Sequence, residues 1–355
     1  MEGNTLSLRQ PITNLLALPR EVQDVIIAHL DLGQPSSERR FCCMPDRTLL
    51  DLSYTCKTLR TAGMPAIYKH INFIAWEMNV DHPFHRTAAL LRTLSSSDHL
   101  RRCIQTLEIR RLDPADRTAE QLLEHTPRLA SLSYCYYIDF YHEGDPLPIN
   151  TKRLLSALGH VQGTLRHLTI GYKARTKYHG LSNRQRPPIL HSPCSFRHFA
   201  VVEHLVIPLD VLLGWDVEQA PPLADVLPPS LVSLNFERGA QHGFQDPTEH
   251  DPLYAVLKPF VEGGEWKSHT PRLKRVSGDI RVGDPVAGGY RELYRRSKAV
   301  EKLLNDNGLD YLEDVEQLMV DNFLLPQGEW GGGRKAFTER LTWENLGLED
   351  LDLEE

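Results

Sequence analysis

The feature that most narrows what this chain can fold into is a spacing, φ-x-x-φ-x-φ with φ apolar or aromatic, that returns along its middle. It occurs as Ile104/Leu107/Ile109, Leu129/Leu132/Tyr134, Leu165/Leu168/Ile170, Val202/Leu205/Ile207 and Leu231/Leu234/Phe236. A weaker sixth copy has Leu273 and Val276, with Gly278 in the last place. One such match means nothing; six in order, each beside a helical pattern, make a repeat. The last two φ positions are two apart, so both point to one face of a short strand. The first anchors the turn that leads in. Helical patterns fall at 86–94, at 119–124 ahead of Thr126-Pro127, at 152–158 between the cap candidates Asn150-Thr151 and Gly159, and at 252–261 before Gly263-Gly264. One strand per unit, alternating with helices, predicts an α/β fold with a parallel sheet and helices on its back.

The x residues would then face the other way. They are Thr106, Glu108 and Arg110; Ser131, Ser133 and Cys135; His167 and Thr169; His204 and Val206; Ser233, Asn235 and Glu237; Arg275, Ser277 and Asp279. That strip is polar and mixed in charge, so it serves solvation, recognition of a protein, or both. The repeat resembles a leucine-rich-repeat solenoid with irregular units, lacking the consensus asparagine. The resemblance implies a concave sheet that binds a protein target, with Glu108, Arg110, Ser133, Thr169, Asn235 and Glu237 as candidate contacts. An ordinary α/β domain with chance echoes is the alternative. Two insertions also invite binding roles. One is the aromatic run Tyr134-Cys135-Tyr136-Tyr137-Ile138-Asp139-Phe140-Tyr141, at least half of it expected in the core. The other is a loop at 173–186 carrying Lys173, Arg175, Lys177, Arg184 and Arg186, which suits an acidic or phosphorylated partner or plain solvation.

Ahead of the repeat, Pro19 sits where a helix would begin and Glu21 in its first turn. Val22, Val25, Ile26 and Leu30 make one apolar stripe, with Ile27 off it and Leu15, Leu16 and Leu18 ahead of it. Leu49, Leu52, Cys56 and Leu59 make a second stripe, with Pro65 expected to break it before Ile67-Tyr68-Lys69-His70-Ile71. Leu18-Pro19-x-Glu21-Val22, the run from Leu49 to Arg60, and the ending Met64-Pro65-Ala66-Ile67-Tyr68 resemble an F-box, the ending most like those of fungal proteins. The link from Asp31 to Thr48 is longer than usual for that family. The resemblance covers about residues 12–73 and implies a three-helix module that docks on the Skp adaptor of a cullin–RING ubiquitin ligase. Leu18, Pro19, Val22 and Ile26 match the first half of the motif, and Leu52, Cys56 and Leu59 the second. A unit this small has a marginal core of its own, so apolar residues beyond its stripes suit either a partner or the rest of the chain.

The division expected is therefore an F-box-like helical domain at 12–73, a leucine-rich-repeat-like domain at 85–282, a helical cap at 283–330 and a flexible acidic tail at 331–355. Within the cap, 290–304 reads as an amphipathic helix ended by Asn307-Gly308, and 311–323 as a further helix. The net charge of −7 misleads: Glu344, Glu349, Asp350, Asp352, Glu354 and Glu355 supply six acids, and the body without them is near neutral at −1. That argues against a nucleic-acid partner. No apolar run is long enough for a membrane span, and Met1 to Thr5 lacks the makings of a signal peptide. Six cysteines without framework spacing read as reduced core thiols of a cytoplasmic or nuclear protein. No catalytic or metal-binding constellation stands out: His82 and His85 have no partner ligand at useful spacing, and Gly331-Gly332-Gly333 precedes no phosphate-binding lysine. No cofactor is expected. The reading is a non-catalytic substrate receptor, with a Skp-family adaptor, its cullin complex and a protein target as partners. The alternative is a non-ligase repeat scaffold, with an enzyme more remote.

Overall fold

The computed structural model describes residues 57–74, 83–111, 118–139, 149–175, 189–190, 193–214, 219–237, 252–278 and 285–312. Its strands are β1 (His70–Ile74), β2 (Thr106–Arg111), β3 (Ser131–Asp139), β4 (Ile149–Asn150), β5 (His167–Arg175), β6 (Ile189–Leu190), β7 (His204–Val206), β8 (Ser233–Phe236), β9 (Arg275–Gly278) and β10 (Asp310–Leu312). The helices are α1 (Lys57–Lys69), α2 (Pro83–Ser96), α3 (Asp98–Cys103), α4 (Thr118–Glu124), α5 (Thr151–Leu158), α6 (Leu209–Leu213), α7 (Leu223–Val226), α8 (Pro252–Glu262), α9 (Glu265–His269) and α10 (Pro285–Asp306). The fold is α/β. An eight-stranded sheet runs β1-β2-β3-β5-β7-β8-β9-β10, all neighbours parallel. Strands join it in chain order, while β4 and β6 pair separately.

The register explains the sequence spacing. Leu107, Leu132, Leu168, Leu205, Leu234 and Val276, the middle φ residues of the six copies, lie opposite one another across six successive strands. All are buried, and so are the first φ residues Ile104, Leu129, Leu165, Val202, Leu231 and Leu273. They meet the helices in a single core. The strand entries repeat too. Each strand's first N–H donates to a carbonyl just ahead of the preceding strand: Ser131 to Gln105 (2.9 Å), His167 to Ala130 (3.0 Å), His204 to Arg166 (3.0 Å), Ser233 to Glu203 (3.0 Å) and Arg275 to Val232 (3.3 Å). Two hydroxyls clamp equivalent turns: Thr164 Oγ1 donates to the Leu129 carbonyl (2.9 Å) and Ser230 Oγ to that of Val202 (2.7 Å).

Gly278 breaks the pattern for a steric reason. A Cβ there would sit 3.1 Å from Leu253 Cδ2 of α8 and 3.3 Å from Phe236 Cβ of β8, so the helix occupies the volume that the other copies give to a side chain. Gly278→Leu should destabilise the body by about 1–3 kcal/mol through overpacking, read as a lower denaturation midpoint with an unchanged slope. An unchanged midpoint would contradict the packing described.

Several expectations change. The chain does not break at Pro65: α1 runs through it to Lys69 and passes directly into β1. The proline removes one N–H from the ladder and crowds the carbonyl one turn back, yet the helix continues past it. β1 pairs with β2 in the same sheet, and Met64, Tyr68 and Ile71 pack on its core. The end of the F-box-like segment is thus joined to the repeat sheet. At the other end, residue 311 begins no helix. Gly308, at φ 80°, turns the chain, Leu309 is buried, and Tyr311 pairs with Val276 in β10. The preceding helix α10 is as expected from its pattern but starts earlier, and Val300 and Leu304 join the common core. α5 begins on Asn150, whose side chain accepts from Arg153 N at 3.0 Å, and Gly264, at φ 69°, follows α8. No helix among the described residues is long and apolar enough to cross a membrane.

Candidate functional site

The outward face of the sheet is built by the same alternation that builds the core. Where φ residues are buried, the x residues between them are half-buried or exposed. Two rows result. Nearest the strand starts run His70, Thr106, Ser131, His167, His204, Ser233, Arg275 and Asp310. One step along run Asn72, Glu108, Ser133, Thr169, Val206, Asn235, Ser277 and Leu312. Of the six candidate contacts, Glu108, Ser133, Thr169 and Asn235 therefore share one row. Arg110 lies one row further, opposite Cys135, which itself faces Gly171. Glu237 follows β8 and reaches the same level: a Cβ on Gly171 would meet its carboxylate carbon at 3.0 Å. Glycine at 171 thus makes room for an acid arriving from two strands away.

The centre of the first row holds an arrangement that residue spacing alone left unselected. His167 and His204 stack face to face, ring centroids 4.5 Å apart and planes within 4°. His204 Nδ1 lies 2.7 Å from Ser233 Oγ on the next strand. Burial depresses the His204 pKa below the ordinary histidine value, the His167 and Arg275 charges depress it further, and Glu203 opposes them. The sequence signal was present: His-Leu recurs in the same place in two consecutive copies, after Arg166 and after Glu203. Just ahead of the row, Glu203 Oε1 accepts from Arg166 Nη1 (3.1 Å) and Arg272 Nη2 (3.4 Å). Burial pushes that carboxyl up, but the two guanidiniums outweigh it and hold it below the usual carboxylate range. One acid shared by two arginines leaves this rim positive, with Lys274 and Arg275 adding to it.

The remaining sequence candidates are distributed as follows. Lys173 and Arg175 are strand residues at the end of β5 rather than loop; the rest of that basic segment lies outside the described residues. Tyr134 and Tyr136 are buried and meet edge to face at 4.5 Å, so this part of the aromatic run is core, as expected. Cys194 is buried, and burial pushes its thiol up to about 12. Cys103 and Cys135 are only half-buried, against the expectation of core thiols: Cys103 ends α3, and Cys135 is an outward-alternating residue of β3. Of the adaptor candidates, Leu59 falls on α1, and Leu18, Pro19, Val22, Ile26, Leu52 and Cys56 lie outside the described residues.

On the helical side, Ser95 Oγ and His125 Nε2 approach to 3.1 Å in an open cleft between α2 and α4. Both are solvated, an arrangement that supplies a hydrogen bond between helices. Comparison with protein-family models finds no match, and comparison with curated proteins finds no significant relative.

Proposed function

We propose that this chain is a substrate receptor of a Skp–cullin–RING ubiquitin ligase. The N-terminal F-box-like segment docks on the adaptor, and the body is an irregular leucine-rich-repeat-like solenoid that presents a target protein. The observation that carries the recognition half is the register. Parallel strands added in chain order, with one residue set buried and the intervening set displayed, make a continuous polar face suited to an extended partner. The ligase half rests on the F-box resemblance of residues 12–73. Ubiquitin transfer would belong to other subunits, this chain raising the effective concentration of target lysines near the conjugating enzyme. That role places it in the cytoplasm or nucleus.

The test is adaptor pull-down. Leu18→Asp combined with Pro19→Ala should abolish capture of the Skp-family adaptor while circular dichroism and the body's unfolding transition stay unchanged. Capture at normal affinity would overturn the ligase half. A second reading, a non-ligase scaffold, is favoured by one observation: α1 passes directly into β1, the first strand of the sheet. Co-purification of adaptor and cullin with the wild-type chain separates the two.

A further inference from the structure

We infer that the stacked pair His167–His204, together with Arg275, forms a proton-coupled site for an acidic peptide segment of the partner protein. This rests on the recognition role proposed above for the body and is independent of adaptor docking. The three side chains stand in one row, on β5, β7 and β9, with Ser233 between the second and third. Adjacent strands are ~4.8 Å apart, so the row spans roughly 14 Å, the reach of four or five extended residues. His167 and Arg275 are exposed, and His204 and Ser233 half-buried, so a ligand can lie across all four.

The charge around the row selects the occupant. Arg166, Arg272, Lys274 and Arg275 are all exposed there, against Glu203, which two of them already share, and Asp310 on the edge strand. On the opposite flank the row continues through Ser131 and Thr106 to His70. The acids Glu108 and Glu237 lie in other rows, away from the pair. The surplus is positive, and it suits carboxylates.

The pair adds a switch. His204, half-buried against the parallel His167 ring and near Arg275, resists protonation because burial and these neighbours disfavour its charge. A carboxylate laid across them removes that penalty, so binding takes up a proton, and affinity rises as pH falls through the histidine range. Glu203 does not supply this dependence, since its carboxyl is held below the usual range. Peptide glutamates remain mostly ionised above about pH 5.5.

The experiment measures binding of a labelled oligoglutamate peptide of about six residues to the full chain by fluorescence anisotropy. The Kd should fall about tenfold from about pH 8 to about pH 5.5. His167→Gln with His204→Gln, in which the amide keeps a hydrogen-bonding group near Ser233, should bind as the wild type does at the higher pH and change less than about twofold with pH. This variant keeps Asp210, a buried acid that also titrates in this range, so lost dependence identifies the imidazoles. Arg275→Ser, at an exposed position, should weaken binding about fivefold at both pH values while keeping their ratio. The assignment is overturned by no binding at either pH, by pH-independent binding of the wild type, by an unchanged dependence in the double variant, or by tighter binding of an oligonucleotide of equal charge. None of these outcomes touches adaptor pull-down, so the site and the ligase reading fail separately.

Discussion

Leu205→Ala should lower the stability of the body by about 2–5 kcal/mol. Leu205 is 1% exposed and lies on β7 between Leu168 and Leu234 in register. Both neighbours are held by their own strands, so the space cannot close by local collapse, and a cavity term adds to the lost transfer energy. The outward residue Thr169, beside Leu168 on β5, supplies the contrast. Thr169→Ala, at a half-buried outward position of a central strand, should cost no more than about 1 kcal/mol. Equilibrium denaturation of both variants measures the pair. Similar costs for the two would mean that the sheet does not separate a core face from a displayed face, and the proposed recognition surface would go with it.

That contrast also shows why this fold was readable from sequence. A parallel strand covered by helices on one face needs buried residues at fixed places, and Leu107, Leu132, Leu168, Leu205, Leu234 and Val276 declare them. The same pattern was present at a seventh place, Tyr68/Ile71/Phe73, where β1 forms. There the apolar residues also fit the ending of an F-box, and a local motif obscured the longer-range repeat. β10 had no such signal: Tyr311 is followed by Leu312 and Glu313, and the strand forms because β9 offers an unpaired edge and Gly308 turns the chain onto it. Tertiary pairing, not local pattern, makes that element.

The site was legible to a lesser degree. Spacing says which residues face outward, and four of the six selected share a row. It cannot say how strands of different length bring distant levels together. β7 is short, and the chain turns from Ile207 through Pro208 into α6. That turn lets Glu237 reach over Gly171, although β7 separates their strands. Nor does spacing reveal that two outward histidines in consecutive copies will stack, since this depends on zero stagger between β5 and β7.

The turn into α6 carries the second large effect, a pH dependence of stability centred on Asp210. Its side chain is buried, with Oδ2 accepting the Tyr172 hydroxyl and Oδ1 accepting Val211 N at 2.9 Å. Burial raises its pKa from 3.8 to about 6, and those hydrogen bonds only moderate the rise. Between these values the folded protein holds a proton that the unfolded chain has released, so stability falls as pH rises through the window. A rise of that size corresponds to about 3 kcal/mol. Carboxylates of the opposite kind, such as Glu203, lose their contribution as pH falls, so the whole protein's profile is a mixture of slopes. The difference between wild type and Asp210→Asn isolates this group, because asparagine cannot titrate. Urea denaturation of both from about pH 4 to about pH 7 should show the wild type losing stability relative to the variant by about 2 kcal/mol across the range, most of that total. Tyr172→Phe should enlarge that loss, since it removes the hydroxyl that favours the ionised acid. Parallel profiles for wild type and Asp210→Asn would mean that Asp210 is solvated in the folded state.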